Sequence, residues 1–251
     1  LFALHESLQW CVVRGRQLAR VRAILKRIEP GLQINEQTKL VIEESRKKGF
    51  SLTHLFADGR LPGTLLLWLI NFMNMLCVYF LASWTPVLRS GAGHTPSQAV
   101  LAGTSMWVGG LAGGWRLVWC VDRRGFGAVL VPTFIVSAVA IVLFRHYYTS
   151  INLAYVTIAV AGCGILGGQA ALNAMTSTFY PTALRATGTG WTLGIGRLGG
   201  ICGPFIGATL LHLQWSTSDL LVAAAVPAGM AAIGIIGFWR LSRSTALPVT
   251  Q

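Results

Sequence analysis

Arg197 stands alone in the apolar run 187–211, a stretch with no other charged residue. It lies ten residues past Thr187, about 15 Å along a helix that rises ~1.5 Å per residue. That depth is near the middle of a roughly 30 Å hydrocarbon layer. An arginine there costs about 2.5–3.5 kcal/mol to insert, so such residues face a bundle interior or a watery cavity and carry function. The chemistry a guanidinium offers in that position is a two-pronged set of hydrogen bonds to a carboxylate. A plainer reading stands beside it, in which the side chain snorkels or pairs with a backbone carbonyl.

Amides and one aromatic residue supply the candidate neighbours. Asn71 and Asn74 are three residues apart and Gln169 and Asn173 four apart, so each pair occupies one helical face. Lipid would leave those amides unsatisfied, which turns both faces toward other helices or a cavity. Hydrogen bonding between helices and contact with a substrate are both open readings of these pairs. Trp191, six residues before Arg197, is the aromatic candidate for lining the same site.

Such residues need long helices in an apolar solvent to position them, and the composition agrees. The 251 residues are 53% hydrophobic and 11% charged, with mean hydropathy +0.60; a soluble domain is roughly 25% charged. The net charge of +12 is not accompanied by a basic stripe interleaved with aromatics, so nucleic acid is not an expected partner. The histidines at 5, 54, 94, 146 and 212 are scattered, and no nucleophile elbow, H-E-x-x-H or P-loop occurs. The cysteines at 11, 77, 120, 163 and 202 lack metal-ligand spacing. Neither an enzyme nor a metal site is expected.

Nearly uncharged stretches predict an all-α membrane protein with six transmembrane helices, at about 63–88, 97–118, 127–144, 151–175, 187–211 and 220–239. Arg116, close to the end of the second, is expected to snorkel to the interface near Asp122. In the fifth, glycines 190, 194, 196, 199, 200, 203 and 207 recur at intervals of four. That spacing lets backbones approach closely, so this helix is expected to be internal and tightly packed. Residues 1–62 hold 11 of the 20 basic residues and 6 of the 8 acidic ones, which marks a water-facing segment. Within it Leu18, Val21, Leu25 and Ile28 share one face of an amphipathic helix suited to an anionic lipid surface. The organisation is therefore a leader over 1–62, a bundle over 63–243 and a tail over 244–251.

Three motifs carry a family resemblance. YPTALRATGTGW (180–191) followed by GIGRLGGICGP (194–204) resembles the loop before the eleventh helix, and that helix itself, of major facilitator transporters. Within them it most resembles the aromatic acid:proton symporters of the 4-hydroxybenzoate and benzoate type. HESLQW at 5–10 resembles the P-E-S-x-x-W signature after the sixth helix, with His5 in the proline position. WCVDRRGFG (119–127) resembles the loop motif G-x-x-x-D-R-x-G-R: Asp122, Arg123 and Gly125 match, while Val118 takes the place of the first glycine.

The resemblance implies the central cytosolic loop and second half of a twelve-helix fold, whose two six-helix halves rock around a midplane site. It further implies transport of a small aromatic carboxylate, for which charge and shape make Arg197 the best anchor and Asn71, Asn74, Gln169, Asn173 and Trp191 the candidate lining. A proton is the implied coupling ion, with no other cofactor, and the family's coupling carboxylates lie in a first helix that is not in this sequence. A first six-helix half and membrane lipid are the implied partners. Asp122, Arg123, Gly125 and Arg185 are the implied gate, in which the carboxylate caps a helix or pairs with arginine and braces one conformation.

Orientation follows from charge. With residues 1–62 cytosolic, Arg123, Arg124, Arg185, Arg240 and Arg243 bring the inner total to sixteen, against Arg89 and Arg145 outside. The positive-inside rule then puts both termini in the cytosol of a plasma (inner) membrane protein. Two other readings share the composition: a facilitator for sugars or another organic acid, and a truncated, non-transporting membrane fragment, which the initial Leu1 suggests.

Overall fold

The computed structural model describes residues 51–91, 95–147 and 150–244. The amphipathic helix expected at 18–28, the HESLQW match and the tail from 245 fall outside the described residues. All secondary structure among those residues is helical: α1 Ser51–Phe56, α2 Leu61–Gly91, α3 Pro96–Arg124, α4 Phe126–Tyr147, α5 Ile151–Ile165, α6 Gly167–Phe179, α7 Thr182–His212 and α8 Thr217–Ser244. Five segments are long and apolar enough to cross a membrane: α2, α4, α5 with α6, α7 and α8. Of the six spans expected, the second is the exception. Helix α3 has 29 residues, about 43 Å of helix, yet glycines, Arg116 and its charged last turn dilute its apolar character.

Local chemistry sets the helix ends. Thr95 caps α3 by accepting from the Gln98 backbone N–H at 3.4 Å, while the Gln98 side chain accepts from the Thr95 N–H at 3.2 Å. Pro96 occupies the first turn, where its missing N–H costs nothing. At the other end Gly125 alone separates α3 from α4, with φ at 81° and its N–H on the Val121 carbonyl at 2.8 Å. A side chain strains that backbone, so the glycine matched by the loop motif has a conformational reason to be there.

Glycine rows let the helices approach. On α7, Gly199 and Gly203 lie against the α2 backbone at Phe72 and Leu76, and Gly200 and Gly207 lie against the Tyr79 and Trp84 rings. Gly109, Gly113 and Gly162 bring α3 and α5 together in the same way. This is small-residue packing, favoured where lipid tails remove any hydrophobic drive between helices. One expectation is corrected by these contacts. Helix α7 is not internal among the described residues, because only one face is packed; a Cβ at Gly190 or Gly194 would meet nothing.

The expected fourth span, over 151–175, lies within the apolar segment Ile151–Phe179, which is built of two helices that part at Leu166. Gly162, Gly164, Gly167 and Gly168 surround the break, and glycine is a poor helix former. Here the Gln169 N–H bonds to the Leu166 carbonyl at 3.2 Å. That tight i→i−3 contact leaves the Ile165 carbonyl, its usual partner, available to something else.

Candidate functional site

The break at Leu166 organises the polar centre of the bundle. Asn74 on α2, fully buried, donates from Nδ2 to the Ile165 carbonyl at 3.0 Å and to Gln169 Oε1 at 2.6 Å. Gln169 Nε2 donates in turn to Asn71 Oδ1 at 3.2 Å and Asn173 Oδ1 at 2.8 Å. Asn71, 1% exposed, sends its own Nδ2 back one turn to the Leu67 carbonyl at 3.0 Å. The structure therefore joins all four amides predicted from the sequence into one network across α2 and α6. Three of these five hydrogen bonds join different helices, and Asn74 Oδ1 accepts none among the described residues.

Arg197 belongs to the same level of the bundle but to another surface. Its neighbour Gly196 faces Met75 and Asn71 of α2, so the guanidinium projects from the exposed side of α7. It makes no hydrogen bond or ion pair among the described residues. Trp191 is 41% exposed and stacks on Trp68 at 6.1 Å between centroids, and Trp68 meets Phe56 of α1 edge-on at 5.5 Å. Trp191 thus closes an aromatic ladder from α1 to α7 and does not join the amide network. Beside it the open glycines leave a groove of about 540 Å³ along α7, lined by Ala186, Gly190, Trp191, Gly194 and Leu198.

Asp122 and Arg123 occupy the last turn of α3, both exposed, and Arg123 lies over the Trp119 ring at 3.9 Å. Arg185, in the first turn of α7, is exposed and reaches Thr182 Oγ1 at 3.5 Å. No ion pair joins Asp122 to Arg185 among the described residues. Asp122 instead lines a cavity of about 760 Å³ between the ends of α3, α4, α6 and α8.

The Major Facilitator Superfamily sequence profile matches residues 21–204. This chain belongs to that superfamily. It is 35% identical over 237 residues to the 4-hydroxybenzoate transporter PcaK of Pseudomonas aeruginosa, covering 94% of this chain and 53% of that protein. It is 31% identical to the gallate transporter of Pseudomonas putida, over 97% of this chain and 55% of that one. The benzoate transport protein of Acinetobacter baylyi is 31% identical, over 90% of this chain and 48% of its own length. The chain spans about half the length of these relatives. As a member of that superfamily with five apolar segments among the described residues, it is an integral membrane protein and not an enzyme.

Two features of this facilitator chain were not among the sequence candidates. Arg89, expected just beyond the first span, lies inside α2 and is fully buried, 5.5 Å from the centroid of the Tyr155 ring. The Tyr155 hydroxyl donates to the Gln98 carbonyl at 3.1 Å, so α2, α3 and α5 meet there. At the opposite end the Tyr180 hydroxyl donates to Thr64 Oγ1 at 3.2 Å, and Thr64 donates to the Leu55 carbonyl at 3.0 Å. Burial pushes the Tyr180 phenol above its ordinary range, partly offset by the Thr64 hydrogen bond. It is a neutral donor at physiological pH and pins α1 to the bundle. No local signal marked Arg89 for burial, because it follows Pro86 by three residues and sits in the last turn of α2, where the sequence reads as the end of the span.

Proposed function

We propose that this chain is the second half of a twelve-helix secondary transporter that moves a small aromatic carboxylate with proton symport. Six long helical segments, α3 among them as a span, form that half, and a first half packs over the exposed side of α7. One observation carries the reading: an arginine without a polar partner among the described residues, at the level of the buried amide network and in the middle of an apolar helix. The relatives' names, which specify aromatic acids, support the substrate class.

In this account Arg197 grips the carboxylate through its planar fork, and closure of the first half over α7 strengthens that pair by excluding water. The amide network offers to polar substituents the N–H groups of half-buried Asn173, which have no partner among the described residues. Trp191 supplies apolar surface, and the Asp122 and Arg185 gate finds its counter-charges on the first half. No acidic residue lies mid-span among the described residues: Asp58 is in the turn between α1 and α2, and Asp122 and Asp219 are at helix ends. The proton-carrying carboxylate therefore belongs to the first half.

Uptake competition in the complete transporter tests the substrate class. Excess benzoate or 4-hydroxybenzoate should suppress uptake of a labelled aromatic acid, and glucose at the same concentration should leave it unchanged. Suppression by the sugar alone would overturn the assignment. The proposed orientation, with α3–α4 and α6–α7 connections cytosolic, has its own check. Single cysteines near Arg145 and His212 should react with an impermeant reagent from outside, and those near Asp122, Arg185 and Arg243 only after permeabilisation. Outside labelling at Asp122 would reverse the orientation.

A further inference from the structure

The cavity at the α3–α4 turn is basic at its rim and apolar at its floor. Arg123, Arg124 and Arg243 line it with a single carboxylate, Asp122, which leaves a net charge of +2 around the opening. Beneath them lie Met175, Ile235 and Phe238, all buried. The hydroxyls of Thr178 and Ser242 also line the cavity, but each donates to a carbonyl of its own helix, at 2.9 Å in both cases. The guanidinium groups therefore supply the cavity's positive charge.

Two of these arginines are held in place. Arg123 lies over Trp119 at 3.9 Å and Arg243 over Trp239 at 4.3 Å, while Trp239 itself packs on Gly127 of α4. Stacking uses the faces of the guanidiniums and leaves their N–H edges for an anion. A second, apolar groove of about 590 Å³ runs along α3 from this point. It is lined by Trp119, Val118, Trp115 and Leu111, and Asp122 borders both it and the basic cavity. From Asp122 to Gly110 the groove follows twelve residues of helix. That is about 18 Å, slightly more than half of a roughly 30 Å hydrocarbon layer, or the depth of one leaflet.

We propose that the basic cavity holds the phosphate headgroup of an anionic phospholipid, with an acyl chain lying in the groove along α3. A soluble phosphate would satisfy the arginines but not the groove, and a neutral hydrocarbon would satisfy only the groove. The shared border at Asp122 makes one amphiphilic ligand the occupant that uses both. Basic pockets between membrane helices suit such headgroups, and each nearby arginine strengthens the attraction. The cavity shares Asp122 and Arg123 with the proposed gate, but lipid retention is read without any substrate, so the two readings fail separately.

Lipid retention by the full 251-residue chain tests the proposal. The purified chain is titrated in detergent with phosphatidylglycerol or with phosphatidylcholine of identical acyl chains, and bound lipid is counted by native mass spectrometry. Phosphatidylglycerol should bind about tenfold or more tightly than phosphatidylcholine. The double variant Arg123→Gln/Arg243→Gln should erase that preference, whereas Arg240→Gln, at the same end of α8 but outside the cavity, should keep it. Inorganic phosphate at millimolar concentration should not displace the lipid. Equal retention of the two lipids by the wild-type chain would overturn the proposal without any variant. Displacement by phosphate alone would assign the cavity to a soluble anion instead, and equal losses with Arg240→Gln and the double variant would reduce the effect to diffuse surface charge. Either result would overturn the lipid site.

Discussion

Arg197→Ala should weaken aromatic acid binding by the complete transporter roughly ten- to a hundredfold, because a charge-assisted hydrogen bond contributes about 1.5–3 kcal/mol. At substrate concentrations near the wild-type Kd, occupancy should fall from one half to between about one tenth and one hundredth, and uptake with it. Abundance in the membrane should stay near the wild-type level, since Arg197 is exposed and makes no hydrogen bond or ion pair among the described residues. Removing it strands no buried partner, so the usual route from an arginine deletion to a damaged fold is absent. Arg197→Lys keeps the charge but loses the planar fork, and should show intermediate affinity. Saturation binding of a labelled aromatic acid by detergent-solubilised variants separates these outcomes. An alanine variant that binds normally but is poorly folded would make Arg197 a packing residue.

The same residue shows where sequence reading stopped. Its depth was legible from the length of the apolar run, but the side of the helix was not. Glycines at intervals of four occur on both sides of Arg197, and nothing local distinguishes a packed row from an open one. The division arises only in the folded chain, where Gly199 and Gly203 meet the backbone of α2 while Gly190 and Gly194 meet nothing. Packing was rightly expected of the glycines, but not that it would be one-sided. An arginine expected in the interior is consequently found on an exposed face of this chain.

The amide pairs were legible for a simpler reason, since spacings of three and four residues fix a helical face wherever the helix goes. The structure brings Asn71, Asn74, Gln169 and Asn173 together as those spacings allow. What the spacing could not supply was the role of Ile165, whose carbonyl accepts from Asn74 because the helix breaks one residue later. That break depends on glycines packing against other helices, with Gly164 against Ser137 and Gly167 against Gly114. Such contacts join segments far apart in sequence and leave little local trace. Arg89 escaped for the same reason, as the Tyr155 ring beside it belongs to another helix. A charge close after a proline reads as the start of a loop, whereas the proline sits within a helix that neighbouring helices enclose.

The largest effect of all concerns the chain as a whole. If its exposed α7 surface awaits a first half, then Arg197 and the amide network form only one wall of a binding site. Alternating access requires a second bundle to rock against, and a single bundle has none. The exposed apolar surface agrees with a chain clothed by lipid and protein: Leu111, Trp115 and Phe205 are 76%, 86% and 71% exposed. Insertion should not depend on the first half, because the apolar helices carry their own affinity for the bilayer. Transport should depend on it completely.

The most direct measurement is accumulation of radiolabelled 4-hydroxybenzoate in proteoliposomes that carry an inward proton gradient. Three preparations are compared: the chain alone, the chain joined to a matching first half, and that joined protein with Arg197→Ala. At substrate concentrations near the wild-type Kd, the account predicts strong accumulation only in the second, with the chain alone inserted at normal levels and inactive and the Arg197→Ala protein reduced about fivefold or more. Saturable uptake by the chain alone, or undiminished uptake by the joined Arg197→Ala protein, would contradict it.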